Sequence, residues 1–116
     1  MAEEISEEMK KDIIEFQNLQ QQAQYNAMQK QQAMLQIADV EKAIEELKGA
    51  KGQCYRYAGS VIVPKDNATL EKELAEEKES LELRQSVLQK QEDKIKERVL
   101  SLRKKFEGLE KGAGAK

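Results

Sequence analysis

The chain has 116 residues, 36% of them charged and 4% aromatic, with no His and no Trp. So few large apolar side chains cannot fill a wide core, and 22 acids interleaved with 20 bases (net charge −2) leave no basic surplus for nucleic acid. One Cys excludes an internal disulfide, no apolar run nears the ~20 residues of a bilayer crossing, and residues 1–10 lack a signal-peptide core, so a cytoplasmic chain without membrane or nucleic-acid partners is expected.

Residues 5–48 contain no Gly and no Pro, and their apolar residues recur at helical spacing. Placing Met9, Phe16, Ala23, Lys30, Ile37 and Ile44 at heptad position a puts Leu19, Asn26, Ala33, Val40 and Leu47 at d. The seam is good at both ends and weak in the middle, where Asn26 and Lys30 interrupt it. Polar residues at such positions set register and partner choice at some cost in stability. The Gln-rich run 17–32 has helical periodicity, which argues against disorder. Gly49, with Gly52 behind it, is expected to end this helix at about 48.

The stretch 53–65 does not favour a helix. Cys54-Tyr55-Arg56-Tyr57-Ala58 and Val61-Ile62-Val63 have the aromatic and β-branched composition of strands, and Gly59-Ser60 between them suits a type II′ hairpin turn. A hairpin at about 53–64 follows, with Pro64 expected to stop the second strand. Tyr55, Tyr57 and Ile62 then share one face, and Cys54, Arg56, Ala58, Val61 and Val63 the other. A lone hairpin is marginal in water and leaves two edges of unpaired N–H and C=O groups, so this one calls for strands from outside the chain.

Asp66, Asn67 and Thr69 are candidate N-caps for a second helix over about 68–109. Leu74, Leu81, Leu88, Ile95, Leu102 and Leu109 fall seven residues apart, the signature of a coiled-coil seam. Leu70, Val99 and Phe106 supply a poorer companion row, interrupted by Lys78, Gln85 and Glu92. Gly108 and the tail 110–116 are expected to fray.

Two helices of similar length joined by a short hairpin should fold back as an antiparallel pair, each about 65 Å long at 1.5 Å per residue. With Lys48 beside Ala68, Ile37 lies between Leu74 and Leu81, and Phe16 near Leu100 and Leu102. Ile5, Met9, Ile13, Phe16, Leu102, Phe106 and Leu109 gather at the far tip. There they either close the last turns of the seam or offer apolar contacts to another polypeptide, a task suited to adaptable Met and Phe side chains.

Enzyme readings fail on inventory: there is no His, no phosphate-cradling Gly-rich loop and no metal-ligand cluster. No catalytic residue, metal site or cofactor is expected. Cys54 has no neighbour to activate it and reads as structural. Asn67-Ala68-Thr69 matches a glycosylation sequon by chance. Charged residues such as Glu71, Lys72, Glu76, Glu77, Lys78 and Glu79 read as a mostly solvated face.

Taken in order, these residues resemble the β-class subunits of prefoldin. The resemblance covers nearly the whole chain and rests on Phe16-Gln17-Asn18-Leu19-Gln20-Gln21-Gln22-Ala23-Gln24, Gln29-Lys30-Gln31 and Lys42-Ala43-Ile44-Glu45-Glu46-Leu47. It continues through Tyr55-Arg56-Tyr57-Ala58-Gly59-Ser60-Val61-Ile62-Val63, Leu83-Arg84 and Gln91-Glu92. No single piece is diagnostic; the order of helix, one short hairpin and a helix of equal length is far more specific, and one hairpin rather than two favours the β class.

The resemblance implies a single prefoldin-like domain over 1–116, mainly α, whose hairpin joins an intersubunit β-barrel through Tyr55, Tyr57, Val61, Ile62 and Val63. It implies a hexamer of two α-type and four β-type subunits. The coiled-coil tips of that hexamer hold unfolded client proteins without ATP and pass them to a group II chaperonin. The competing reading is a structural or adaptor coiled coil that spaces other proteins and binds no client.

Overall fold

In a computed structural model, residues 6–114 are described, with side chains as far as Leu109. The elements in order are helix α1 (Glu7–Gly49), strands β1 (Cys54–Ala58) and β2 (Val61–Lys65), and helix α2 (Asn67–Gly114). Two long helices and one antiparallel hairpin are the expected elements. Three boundaries differ from expectation: α1 includes Gly49, β2 includes Pro64 and Lys65, and α2 continues past 109 to Gly114. A helical Gly costs only about 1 kcal/mol relative to Ala, so Gly108 interrupts nothing.

The helix ends follow from local chemistry. Ser6 caps α1, its Oγ accepting from the Met9 amide at 3.1 Å, and Glu7 and Glu8 suit the positive end of the helix dipole. Asp66 caps α2 in the same way, its Oδ1 accepting from the Thr69 amide at 2.9 Å. Those hydrogen bonds hold the Asp66 carboxyl below its ordinary range. Past α1 the Ala50 amide donates to the Leu47 carbonyl at 3.1 Å, and Gly52 takes φ +92°, turning the chain into β1.

The hairpin has the expected turn. Ala58 faces Val61 across Gly59-Ser60, with Gly59 at φ +67° and Ser60 outside the positive-φ region, as a type II′ turn requires. The register continues as Tyr57↔Ile62, Arg56↔Val63, Tyr55↔Pro64 and Cys54↔Lys65. Since the pair closing the turn exchanges hydrogen bonds, so do Arg56/Val63 and Cys54/Lys65, whereas the amides of Tyr57/Ile62 and Tyr55/Pro64 face outward. Pro64 therefore removes no bond from the hairpin. The proline ring was expected to end the strand, but at an outward-facing position its missing N–H belongs to the strand's far edge.

The chain divides into two compact units. The first comprises the segments up to Gln29 and from Leu88 onward, the second Lys30–Val87. Paired helices bury a stripe rather than a central core. In the second unit Val40, Leu70 and Leu74 are buried together, with Ile44, Leu47, Leu81 and Cys54 packed against them. Each such side chain stabilises by about 1.5–3 kcal/mol.

In that unit Asn67 ties α2 to β1 and to the loop between α1 and β1: its Oδ1 accepts from the Cys54 thiol at 2.8 Å and its Nδ2 donates to the Ala50 carbonyl at 3.4 Å. Arg56 of β1 donates to Glu73 at 3.1 Å and to Glu77 of α2, and Lys65 of β2 donates to Glu73 at 2.6 Å. Lys78 meets Glu41 of α1 at 3.2 Å. Glu77 and Lys78 are thus half-buried ties between elements, not members of a solvated face.

Candidate functional site

Two apolar surfaces stand out, one on the hairpin and one beside the helix termini. On the hairpin, strand alternation separates a half-buried face from an open one. Cys54, Arg56, Val63 and Lys65 turn toward α2 and are half-buried. Tyr55, Tyr57 and Ile62 are 61%, 76% and 54% exposed. Two tyrosines and an isoleucine in neighbouring cross-strand pairs form a patch that a further protein surface would cover favourably. Val61 is also exposed, but it lies on the face of Val63, so the five hairpin residues singled out in the sequence divide between two faces.

Electrostatics fix how that face is presented. The Lys65 ammonium and the Arg56 guanidinium hold the Glu73 carboxyl below the usual carboxylate range. Glu77 and Glu73 in turn raise Arg56. One acid thus receives a cation from each strand, which clamps both strands to α2 and leaves the opposite face free.

In the other unit, Met9, Asp12, Phe16, Leu19 and Asn26 of α1 face Leu88, Ile95, Val99, Leu102 and Phe106 of α2 at seam spacing. Leu102 is wholly buried, so it supports the surface from beneath. The Phe16 and Phe106 rings meet edge to face, with centroids 5.7 Å apart and planes at 68°. Both rings are only half-buried, as is Met9, while Ile13 is at the margin and Leu109 is 48% exposed. Ile14 and Leu100, not singled out in the sequence, are more open still at 58% and 56%. Ile5 lies outside the described residues. Of the tip residues expected from sequence, Phe16 and Phe106 are brought into contact.

Charged pairs border this surface. Arg98 makes a two-pronged contact with Glu15 at 2.7 and 2.8 Å, which lowers the Glu15 carboxyl and raises the guanidinium. Lys105 bonds Asp12 at 2.6 Å and Glu8 at 3.0 Å, and both acids raise its pKa, Asp12 the more. Asp12 was missed: it occupies seam position d beside Ile13 and is 8% exposed. A charged residue there is tolerable because Lys105 neutralises it from the other helix. Asn26, 5% exposed, donates to the Leu88 carbonyl at 3.0 Å and so satisfies its burial.

Among the described residues no group of three or more His, Cys, Asp and Glu is placed to hold a metal ion, and no helix is long and apolar enough to cross a membrane. The arrangement offers surfaces to cover.

The same architecture recurs in known proteins. The family described as Prefoldin subunit matches residues 10–112. The chain is similar to a protein named prefoldin subunit beta from Archaeoglobus fulgidus, 34% identical over 99 residues that cover 84% of this chain and 85% of the relative. It is also similar to a prefoldin subunit beta from Saccharolobus islandicus, 32% identical over 108 residues, 91% of this chain and 86% of the relative. Among solved structures, the prefoldin beta subunit from Thermococcus strain KS-1 superposes with a TM-score of 0.80 at 27% identity, covering 91% of this chain and 95% of that one.

Proposed function

The chain belongs to the prefoldin subunit family, and from that premise we propose that it is a β-type chaperone subunit working in the cytoplasm within a hexamer of two α-type and four β-type subunits. In this reading the complex holds unfolded polypeptides without ATP and passes them to a group II chaperonin. The hairpin assembles the complex, its open face and outer edges meeting neighbouring strands in a β-barrel. The apolar end of the other unit holds the client through Met9, Ile13, Phe16, Phe106 and Leu109, with Ile5 contributing and Leu102 packed below.

The observation that carries the holding role is the half-exposed Phe16–Phe106 pair, with exposed Leu109 nearby in sequence and a wholly buried Leu102 on the same helix. Aromatic faces left open to water attract any apolar segment with little demand for its sequence. Each contact is weak, but several arms on one client raise the effective concentration and still release one at a time.

Variants on the two surfaces test this reading. Ile62→Lys is expected to prevent assembly with an α-type partner, read as native mass. Met9→Lys and Phe106→Lys are expected to keep the hexamer mass and lose suppression of client aggregation, read by light scattering. Undiminished suppression in the Met9 and Phe106 variants would overturn the client-holding assignment. Ile62 is a cleaner probe of assembly than Val63, because Val63 is half-buried on the helix-facing side and a charge there would damage the hairpin itself.

A further inference from the structure

In the unit formed by the chain's two ends the seam does not close everywhere. Ala23 sits at an a position, yet it is exposed, because its single methyl group cannot cover the Ile95 and Val99 side chains of α2. A groove of about 580 Å³ opens beside it, lined by Ile95, Val99 and Leu100, with two glutamines of α1 along its edge. Its volume lies within the ~300–1,000 Å³ of clefts that take small ligands or a few side chains. Two further grooves, of about 590 and 250 Å³, also reach Ile95, so this residue is accessible from more than one flank.

The charges around this floor have one sign. Lys96 and Arg103 line the groove, and no acidic residue does. Lys96 is engaged by Glu92 at 3.3 Å, whereas Arg103 makes no ion pair among the described residues. An apolar floor bordered by an uncompensated guanidinium favours an occupant that brings both apolar side chains and a carboxylate.

We propose that this lateral groove is a second client subsite, which takes an extended apolar segment carrying aspartate or glutamate and pairs the acid with Arg103. The inference rests on the holdase reading and adds a chemical preference to it, at a groove whose floor at Ala23 and Val99 lies seven residues along each helix from Phe16 and Phe106. Segments whose apolar residues alternate with acids would be captured here. Basic segments would be left to the charge-neutral aromatic pair.

The test uses the assembled complex and two fluorescein-labelled twelve-residue peptides of leucine and phenylalanine, one interspersed with aspartate and one with lysine. Fluorescence anisotropy is expected to show the aspartate peptide bound about tenfold more tightly at low ionic strength, with the gap narrowing as salt is added. Arg103→Glu is expected to invert the preference. Ala23→Leu, which fills the groove, is expected to weaken the aspartate peptide about tenfold without lowering the melting temperature. Equal affinity for both peptides, or an Arg103→Glu complex with the preference unchanged, would overturn the subsite while aggregation suppression stays intact. Loss of all peptide binding together with absent aggregation suppression in the unaltered complex would overturn the holdase reading as well.

Discussion

Among the described residues Asn26 and Asp12 are the two buried polar side chains of the seam, and they are satisfied differently. Asn26 donates one neutral hydrogen bond to the Leu88 carbonyl, which its own helix already engages. Replacing it by Leu exchanges that bond for apolar contact, so Asn26→Leu is expected to raise stability by about 1 kcal/mol in chemical denaturation. Asn26 was legible from sequence, because heptad spacing alone exposes a polar residue in an apolar row. Asp12 was not, since its tolerance depends on Lys105, 93 positions away in the chain, and apolar spacing points instead to its neighbour Ile13.

Glu15, Glu73 and Asp66 all have carboxyls held below their ordinary values, by Arg98, by Lys65 with Arg56, and by the Thr69 hydrogen bonds respectively. A depressed carboxyl binds fewer protons folded than unfolded, so its contribution is complete above the ordinary value, 4.5 for Glu and 3.8 for Asp, and is lost as pH falls further. The far-UV helical signal is therefore expected to weaken below about pH 4. Glu73→Gln, which has no charge to lose there, is expected to show a shallower acid limb from a lower starting stability.

Among the elements, the hairpin shows how a local rule and a tertiary context share the work. Gly59 has φ +67°, and a Cβ placed on it would meet nothing within 4 Å. The penalty of Gly59→Ala is therefore torsional rather than steric, about 1–2 kcal/mol. It is expected to appear in the near-UV circular dichroism of Tyr55 and Tyr57 as an earlier thermal loss, with the helical signal little changed. The turn itself was readable, because Gly-Ser between two β-rich runs has few other solutions. The helix caps were readable for the same reason, Asp66 being one of three candidates the sequence offered. The face that each strand turns toward α2 was not readable: it is decided by Glu73 and Glu77, whose charges sequence reading had assigned to solvent.

At the scale of the whole molecule, the order of elements carried the family assignment, since each piece alone is commonplace and only the succession is distinctive. Membership in the prefoldin family then gives meaning to what a single chain leaves open, a sheet of two strands with an apolar face exposed. Which end residues close the seam and which stay open was less legible, because a seam and an exposed apolar surface draw on the same side chains. Leu102 and Leu109 occupy the same heptad row, yet one is wholly buried and the other 48% exposed. Only packing distinguishes them.

The outward-facing nitrogen of Pro64 bears on how far this chain can associate. The outer rim of β1 presents the Tyr55 and Tyr57 amides, whereas that of β2 offers the Ile62 amide and then a position that cannot donate. Strand addition on that side lacks a rung, so stacking of copies without limit is discouraged while finite closure remains open to it. Pro64→Val supplies the missing donor, and light scattering is expected to reveal species larger than the native oligomer. A single imino acid thus acts as a stopper against fibre growth.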